Sequence, residues 1–425
     1  MLPDHAGVLI VGAGPAGLAA ALELKRLGVT DIIVVDREEE AGGIPRLCHH
    51  AGFGLRDLRW AYSGPGYARR YVRQAGTAGI EIYTSTTITG WQGPTTLTYT
   101  SPRGTGQLSA RAVLLATGCR ERPRSARLVP GSRPQGVFTT GSLQRFVYQH
   151  RLPVGRRAVI VGAELVSLSA LMTLAHARVS VAAMVTELPR HQIYFPYLPV
   201  KWVMADLLRR TPIVAGARIS LIVGHTRVEG VEIRRLDSGR VETIACDTVV
   251  FTGDWIPEHE LARFGGLALD AGTRGPRSDP DFRTSAPGVF AAGNLLRGAE
   301  TADICALEGR NAARHIRDFL NDGLWLERAL PLRVEGPIAW IFPNIVSPSA
   351  GRPILSHFTF RVREFCRDVQ VRVYQGAKVL HAQSFRRLLP NDSMRLAADW
   401  VDVADLAGEA LQVVLHRAGS SCSIG

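Results

Sequence analysis

The chain has few cysteines and lacks the cysteine pairs that redox-active or metal sites require. Its cysteines lie far apart and none belongs to a Cys-x-x-Cys motif: Cys48, Cys119, Cys246, Cys305, Cys366 and Cys422. This spacing excludes a readable disulfide framework, a zinc site and an iron–sulfur nest. The chain also lacks an apolar run of membrane-spanning length and a basic leader ahead of its first strand. We therefore expect a cytoplasmic protein without an integral membrane span.

Lysine is also scarce, so the formal net charge of +12 comes almost entirely from arginine. The lysines are Lys25, Lys201 and Lys378, and the arginines are scattered rather than gathered on one run. This scatter argues against nucleic acid or an anionic membrane surface as the partner. Two explanations of the arginine bias stay open: the base composition of a GC-rich genome, and an acidic partner subunit. With 46% hydrophobic and 21% charged residues, the 425-residue chain is long enough for two or three globular domains.

The opening segment has the pattern of a nucleotide-binding strand, turn and helix. An apolar strand from Val8 runs directly into Gly12-Ala13-Gly14-Pro15-Ala16-Gly17, and an Ala/Leu-rich helix follows. The first glycine permits a tight turn, the second lets a pyrophosphate approach the backbone, and the third allows close helix–sheet packing. The next strand, 32–35, ends at Asp36, where a carboxylate typically accepts hydrogen bonds from an adenosine ribose. The pattern predicts a bound dinucleotide.

A second glycine pair, Gly42-Gly43, follows that acid and favours FAD over NAD, because it lets the chain run close to a long cofactor. Arg46 could reach a phosphate oxygen. Cys48 and His50 would face the flavin if this loop runs as in related enzymes, and His50 could then act as a base toward an amine substrate. The alternative, a small buried thiol and a structural histidine, stays open. Cys48 alone cannot cycle a disulfide.

Two later strands end in small residues that suit a cofactor site. The strand 112–116 ends at Thr117-Gly118, and the strand ending at Gly293-Asn294 is followed by a predicted helix through about residue 319. An amide side chain at this point can bind a ribityl hydroxyl, and a helix N-terminus stabilises the negative charge of a reduced flavin.

A second nucleotide-binding unit begins near Arg157, but its fingerprint is altered. Gly162 keeps the turn, whereas Glu164 stands where a pyrophosphate needs bare backbone and Ser167 stands at the close-packing position. A carboxylate facing a dianion in a partly dehydrated site costs several kcal/mol, of the order of the desolvation penalties for buried charge. We expect this unit to keep its fold and to have lost NAD(P). The alternative, in which Glu164 points away and NADH still binds, stays open.

Together these motifs resemble the two-dinucleotide-binding-domain FAD oxidoreductases, the pyridine nucleotide-disulfide reductase-like flavoproteins that include glutathione and thioredoxin reductases. More narrowly, the segments 42–54 and 293–302 resemble the FAD subunits of opine oxidase, hydroxyproline dehydrogenase, hydrogen cyanide synthase and heterotetrameric sarcosine oxidase. Asn294 replaces the aspartate that usually ends the last motif. The resemblance and the residue patterns together assign these residues to FAD: Gly12, Gly14, Pro15, Ala16, Gly17, Asp36, Arg37, Gly43, Arg46, Ile88, Thr117, Gly118, Gly293, Asn294, Thr301 and Ala302.

The resemblance implies an α/β chain with two Rossmann-like domains, the second inserted in the first, plus a small C-terminal β-rich domain. The predicted ranges are 1–122 with 255–325 for the FAD-binding domain, 123–254 for the degenerate NAD(P)-binding-like domain, and 331–420 for the β-rich domain. Several relatives carry a [2Fe-2S] segment in the tail, but here the tail has only Cys366 and Cys422. Any such cluster would come from a partner subunit.

The implied function is that of an FAD-dependent dehydrogenase acting on CH-NH or CH-NH2 donors, as one subunit of a hetero-oligomer that passes electrons to an acceptor other than oxygen. The implied partners are a second flavoprotein subunit of the amine oxidase type and a small ferredoxin-like subunit. Two alternatives stay open: an NAD(P)H-dependent flavin reductase, and an adenine-nucleotide-binding scaffold subunit. No substrate-anchoring cluster is recognisable in the sequence.

Overall fold

The structure is a computed structural model, and it describes residues 2–195, 197–208, 210–325, 328–347 and 357–417. Cys422 and the end of the predicted 331–420 domain lie outside these ranges. The chain divides into two compact units: unit 1 comprises 1–46, 51–119 and 257–425, and unit 2 comprises 47–50 and 120–256. Within the described ranges, none of the helices is both long and apolar enough to cross a membrane.

Unit 1 begins with a parallel strand pair whose residues are buried on both faces, as expected for strands covered by helices. Pro15 stands at the first position of the first helix, where its fixed φ angle suits the helix and its missing N–H costs nothing. The elements of this segment are β1 (His5–Val11), α1 (Pro15–Arg26), β2 (Ile32–Val35), β3 (Ala51–Phe53), β4 (Tyr62–Ser63), α2 (Gly64–Thr77), β5 (Glu81–Tyr83), β6 (Thr87–Trp91), β7 (Thr96–Ser101), β8 (Gly104–Leu115) and β9 (Cys119–Glu121), with a 3-10 turn at Ile44–Leu47.

Unit 2 contains a second parallel sheet and a small antiparallel sheet. Its elements are β10 (Val137–Thr139), α3 (Thr140–Gln144), β11 (Arg157–Val161), α4 (Leu165–His176), β12 (Ser180–Val185), α5 (Leu198–Lys201), β13 (Ile213–Val214), β14 (Ala217–Val223), β15 (Gly230–Arg235), β16 (Val241–Ala245), β17 (Thr248–Phe251) and β18 (Trp255–Pro257), with helical turns at Arg124–Arg127, Arg145–Gln149 and Trp202–Leu208. The parallel sheet has the order β10-β17-β11-β12-β13, and β14-β15-β16 form the antiparallel sheet. The Rossmann-like core of this unit is therefore intact.

The chain then returns to unit 1 through α6 (Glu260–Phe264), β19 (Val289–Ala291), a turn at Gly293–Leu295 and the long helix α7 (Ala302–Asp322). The main sheet of unit 1 has the order β5-β2-β1-β8-β7-β6, and β19 pairs in parallel with β8. This parallel pairing places the ends of β1, β8 and β19 at one edge of the sheet. Because ligands of open α/β sheets bind outside the carboxyl ends of the strands, the candidate site lies at this edge.

The C-terminal part of unit 1 is made of strands around a core of its own, which includes Phe358, Phe360 and Trp400. Its elements are β20 (Leu330–Val334), β21 (Ile338–Phe342), β22 (Ile345–Val346), β23 (His357–Val362), β24 (Cys366–Gln375), β25 (Lys378–Leu388), β26 (Met394–Ala397) and β27 (Leu411–Arg417), with a 3-10 turn at Asp399–Val403. They form the sheets β22-β20-β27-β24-β25 and β21-β23-β26. The predicted α/β class, with two Rossmann-like sheets and a C-terminal β-rich region, is confirmed.

Candidate functional site

The first glycine turn is dictated by close contacts between backbone segments. Gly12 has φ +114°, and a Cβ built on it would lie 2.3 Å from the Ala116 carbonyl oxygen. A Cβ on Gly17 would lie 1.9 Å from the Gly12 carbonyl oxygen. Both distances are far inside van der Waals contact, so the turn and the approach of α1 to the sheet each require glycine.

Gly14 is different, because a side chain here would clash with nothing and would make only an ordinary van der Waals contact. The nearest atom to a Cβ on Gly14 would be the Gly43 Cα, at 3.9 Å. Gly14 is also the N-cap of α1 and offers no side-chain hydrogen bond to the first turn. The helix therefore begins with N–H groups that no side chain caps, next to a gap lined by bare backbone, which is the arrangement that binds a pyrophosphate. Pro15 and Ala16 are the first residues of this turn.

Asp36 directly follows β2 and holds the glycine turn in place. Its Oδ2 accepts a hydrogen bond from the Ala13 backbone N–H at 2.6 Å, and its Oδ1 accepts one from the Glu38 N–H at 2.9 Å. Burial raises the pKa of this carboxyl above its ordinary value. Each carboxylate oxygen can accept a further hydrogen bond, so both keep acceptor capacity for the predicted ribose hydroxyls.

The two predicted arginines each form an ion pair with a carboxylate of unit 1. Arg37 is exposed and contacts Glu258 through Nη2 at 3.3 Å. Arg46 contacts Glu40 through Nη1 at 2.8 Å, and its Nε is buried without a hydrogen-bond partner among the described residues. An unpaired buried guanidinium N–H is costly, so the Arg46 Nε supports the predicted contact with an anionic ligand.

The second motif of the site lies directly against the first. Gly293 has φ +75°, and a Cβ on it would lie 2.9 Å from the Ala16 Cβ, so the 293–294 turn packs on the start of α1. The Asn294 Oδ1 accepts hydrogen bonds from the Glu300 backbone N–H at 2.8 Å and from the Cys305 thiol at 3.1 Å. The amide is thereby oriented with its oxygen inward, which leaves its NH2 group as the donor for a ligand hydroxyl. Burial raises the pKa of the Cys305 thiol, so it acts as a donor and not as a nucleophile.

Helix α7 starts at this turn, and its N-terminus carries no side-chain cap. Thr301 is the N-cap residue, but its Oγ1 is buried without a hydrogen-bond partner among the described residues, and Ala302 is the first residue of the helix. Asp303 turns away and accepts hydrogen bonds from the backbone N–H groups of Gly54 and Arg56 at 2.8 and 2.9 Å. This contact holds the 51–56 loop beside the helix start, and the uncapped turn is left for a ligand.

Thr117 and Gly118, two further predicted residues of this site, both hydrogen-bond to the backbone of Glu258. The Thr117 Oγ1 donates to the Glu258 carbonyl oxygen at 2.9 Å, and the Gly118 carbonyl oxygen accepts from the Glu258 N–H at 2.9 Å. A Cβ on Gly118 would meet nothing within 4 Å, but its φ of +79° favours glycine. Ile88 lies in β6 at the antiparallel edge of the same sheet.

The residues of unit 1 fit FAD at both helix N-termini and at Arg46. The gap beside Gly14 is one that a side chain would fill, the N-termini of α1 and α7 both lack side-chain caps, and buried donors at Arg46 and Thr301 have no partner among the described residues. A pyrophosphate at the first helix and a flavin at the second would supply these missing partners.

The corresponding turn of unit 2 is filled by its own side chains. Glu164 and Ser167 form a capping box at the start of α4: the Ser167 Oγ accepts from the Glu164 backbone N–H at 3.2 Å, and the Glu164 side chain accepts from the Ser167 backbone. The Glu164 carboxylate lies between two glycines, since a Cβ on Gly162 would be 2.7 Å from Oε2 and a Cβ on Gly253 would be 3.3 Å from Oε1. Burial raises the pKa of Glu164.

The two predicted catalytic residues belong to unit 2 in the structure. The Cys48 thiol donates to the Gln144 Oε1 at 3.7 Å, and burial raises its pKa to about 12. The neighbouring His49 ring stacks on Tyr148, with ring centroids 3.9 Å apart. The 47–50 segment, which includes His50, is therefore anchored to the α3–α4 region, and the catalytic role of Cys48 and His50 stays a prediction.

Sequence reasoning missed a set of buried charges behind the 293–302 turn. Glu308 accepts from the Gly293 backbone N–H at 3.1 Å and also pairs with Arg297 Nη2. Glu300 pairs with Arg361 of β23 at 2.9 Å. Glu300 could have been noticed in the sequence, because an acidic residue at the start of a predicted helix often interacts with the helix N-terminus. The sequence around Glu308 and Arg361 contains no comparable signal.

Known proteins resemble this chain over its two Rossmann-like sheets. Residues 6–309 match the family described as pyridine nucleotide-disulphide oxidoreductase. A thioredoxin reductase of Treponema pallidum is 27% identical over 68% of this chain and 88% of its own length. An opine oxidase subunit of Agrobacterium tumefaciens is 27% identical over 73% of this chain, but the match spans only 65% of that subunit. The alpha subunit of sarcosine oxidase from Rhizobium meliloti is 25% identical over 73% of this chain and 30% of its own length.

The solved structures show the same fold. The thioredoxin reductase of T. acidophilum covers 76% of this chain and 99% of its own, with a TM-score of 0.62 and 21% identity. L-proline dehydrogenase from P.horikoshii covers 75% of this chain and 56% of its own, with a TM-score of 0.54 and 18% identity. The predicted resemblance is confirmed. The family match covers more than half of the chain and includes the glycine turns of both units, so the protein belongs to the pyridine nucleotide-disulphide oxidoreductase family of FAD-dependent oxidoreductases.

Proposed function

We propose that this chain is the FAD-binding subunit of a hetero-oligomeric dehydrogenase that oxidises an amine or amino acid of the opine, proline or hydroxyproline type. The observation that carries the proposal is the contrast between two helix N-termini. Helix α1 starts at Gly14, which has no side chain and faces the backbone of Gly43, whereas α4 starts at Glu164, whose carboxyl group fills the equivalent turn. The first unit can take a dinucleotide, and the second places its own carboxyl group where a pyrophosphate would bind.

The proposed cofactor assignment follows from this contrast. FAD would be held by the residues around Gly14, Asp36, Arg46, Asn294 and Thr301, and NAD(P) has no equivalent place in unit 2. Bound FAD would supply the hydride or electron acceptor for the reaction. This chain's residues would orient it, with α1 facing the pyrophosphate and the start of α7 stabilising negative charge.

Two observations support an amine or amino acid as the electron donor: the similarity to opine oxidase subunits, and the lack of a redox-active cysteine pair. A thioredoxin reductase and opine oxidase subunits resemble this chain at equal identity. A disulfide reductase needs a redox pair of cysteines, and this sequence has no Cys-x-x-Cys motif. The buried Cys48 thiol, with its pKa near 12, does not provide the thiolate for such chemistry. The resemblance to oxidase subunits therefore carries more weight than the reductase one.

The proposed partners are a second flavoprotein subunit of the amine oxidase type and a small ferredoxin-like subunit that would carry any [2Fe-2S] cluster. The opine oxidase and sarcosine oxidase relatives are both named as subunits, which supports this proposal. In the described part of the chain, no group of three or more His, Cys, Asp or Glu side chains is arranged to hold a metal ion.

Tagged protein expressed together with its neighbouring genes tests this function. We expect the purified protein to show flavin absorbance and to contain stoichiometric partner subunits. NADH and NADPH should not bleach the flavin. A secondary amine or amino acid, from a panel that includes opines, proline and hydroxyproline, should bleach it. Rapid bleaching by NADH would favour the reductase alternative. A colourless protein that still supports a catalytic partner would favour the scaffold alternative.

A further inference from the structure

The C-terminal β-rich region reaches the turn that carries Asn294. Arg361 on β23 donates through Nη2 to the Ala299 carbonyl oxygen at 2.7 Å and to the Glu300 Oε1 at 2.9 Å. Ser393 donates to the same Glu300 oxygen and accepts from the Arg361 Nε at 3.0 Å. These contacts come from beyond residue 309, where the family match ends. The contacts to Glu300 are therefore made by residues outside the matched range.

Glu300 is tied to the candidate flavin site at its other end. Its backbone N–H donates to the Asn294 Oδ1 at 2.8 Å, and it precedes Thr301, the uncapped N-cap of α7. The Glu300 side chain is 7% exposed. A buried carboxylate at this position would oppose negative charge on a nearby ligand unless a cation compensates it.

The compensating charges are arginines from two parts of the chain. Arg361 contacts the carboxylate directly, and the Arg297 Nε lies 4.0 Å from the Glu300 Oε1. Arg56 also lowers the pKa of Glu300, and Asp392 is the nearby acid. Burial alone would raise the pKa of Glu300, but the arginines outweigh it and lower the pKa. Glu300 is therefore ionised in the folded protein.

Arg297 is mainly engaged elsewhere, which leaves Arg361 as the direct partner of Glu300. The Arg297 Nη2 pairs with Glu308, and its guanidinium stacks on the Phe342 ring with the Cζ 4.6 Å from the centroid. Arg361 has no other carboxylate contact within 4 Å among the described residues, and its guanidinium lies over Trp340.

We propose that Arg361 is a positioning residue, supplied by the C-terminal region, that neutralises Glu300 and thereby raises the reduction potential of the flavin at the start of α7. The inference rests on the proposed FAD site. Reduction adds negative charge to the flavin, so an uncompensated carboxylate nearby favours the oxidised form, and an uncompensated guanidinium favours the reduced form. Arg361 also holds the 299–300 backbone, and so fixes the Asn294 amide through the Glu300 N–H.

The test compares variants that change the charge in opposite directions. Arg361→Ala exposes the flavin to the Glu300 charge and lowers the potential, whereas Glu300→Gln removes that charge and raises it. We expect each shift to be at least tenfold in the oxidised-to-reduced ratio, or about 30 mV for a two-electron couple. Arg361→Lys restores most of the wild-type potential. Arg372→Ala is the matched control on β24, because the Arg372 guanidinium hydrogen-bonds to Gln370 and Tyr374 and not to Glu300.

The potential is measured by anaerobic dye titration, and hydrogen exchange of the 293–301 amides provides a readout that needs no flavin. We expect faster exchange in Arg361→Ala and wild-type exchange in Arg372→Ala. Shifts of the same sign in Arg361→Ala and Glu300→Gln, or an unchanged potential in both, overturn the inference. If Arg361→Ala does not fold, the isosteric Glu300→Gln decides the sign. If the wild-type protein folds but contains no flavin, the proposed function is overturned instead. In that case the amide exchange still tests the positioning role of Arg361, and unchanged exchange in Arg361→Ala overturns it.

Discussion

Glu164 and Ser167 cap the same helix turn reciprocally, with the Glu164 backbone N–H donating to the Ser167 Oγ at 3.2 Å. These are the residues that break the second glycine fingerprint, and in the structure they satisfy the helix N-terminus that a pyrophosphate would otherwise occupy. The two departures from the fingerprint, Glu164 and Ser167, therefore act together in one helix cap. One supplies the carboxyl group and the other the hydroxyl that completes the cap.

The buried Glu164 carboxyl makes stability depend on pH. Its folded-state pKa is raised above the ordinary value of 4.5 by burial, so the folded state binds its proton more tightly than the unfolded state. The stability from this group is fully present below pH 4.5 and is lost as pH rises through the folded-state pKa. We expect Glu164→Gln to become more favourable relative to wild type as pH rises from 4.5 to 8. Urea unfolding of both proteins across this range measures the difference, and a constant difference would contradict the prediction.

We expect alanine at Gly14 to weaken FAD binding, and alanine at Gly17 to lower the stability of the fold. A Cβ on Gly14 meets no atom within 3.9 Å, so Gly14→Ala folds with a loss of about 1 kcal/mol or less at the helix cap. The methyl group occupies the gap for the pyrophosphate and weakens FAD binding by about 1–3 kcal/mol, or about 5- to 150-fold. Flavin content after dialysis and the FAD affinity of the apoprotein measure this loss.

Gly17→Ala is the contrasting variant, because its Cβ would lie 1.9 Å from the Gly12 carbonyl oxygen. We expect a loss of about 3 kcal/mol of stability even without FAD, since α1 must move away from the sheet. Denaturant unfolding of the two apoproteins distinguishes the cases. Equal stabilities would mean that Gly17 is not needed for close packing.

Cys48 is expected to resist alkylation in the folded protein. Burial raises its pKa to about 12, so roughly 1 in 10,000 molecules carries a thiolate at pH 8. An exposed thiol of ordinary pKa is about a quarter ionised at that pH. Labelling by iodoacetamide should therefore be about a thousandfold slower than in the guanidinium-unfolded protein, as measured by peptide mass spectrometry. Rapid labelling of the native protein would restore Cys48 as a candidate nucleophile.

Tyr71 is a buried residue of unit 1 that hydrogen-bonds to a partly buried acid, Asp57. Its hydroxyl donates to the Asp57 Oδ2 at 2.6 Å and accepts from the Arg310 Nη2 at 2.8 Å. Tyr71→Phe leaves both charged partners short of a hydrogen bond, and we expect a loss of about 1–3 kcal/mol in the free energy of unfolding. Tyr83→Phe is the control, since its hydroxyl makes an exposed bond to Glu81 and should cost less than about 0.5 kcal/mol. Equal effects would argue against the buried network.

The fingerprint could be predicted because its geometry is local. Gly12, Gly14 and Gly17 follow one another along a single strand and turn, and the hydrophobic runs beside them have the period of the elements they form. The same reasoning predicted the degenerate fingerprint at Glu164. It could not show that the carboxyl group turns back onto its own helix, because that orientation depends on Thr252 and Gly253, which follow β17 about 90 residues later in the chain.

From the amino-acid order alone, the protein is an α/β chain with one intact and one altered dinucleotide turn, because strand periodicity and glycine spacing act over a few residues. Only the tertiary structure decided which charges surround the cofactor end of α7. Glu300 meets Arg361 across 61 positions and Gly54 meets Asp303 across 249. Buried ionic and hydrogen-bonded pairs of this kind depend on how sheets stack, and no local pattern encodes the distance between such partners.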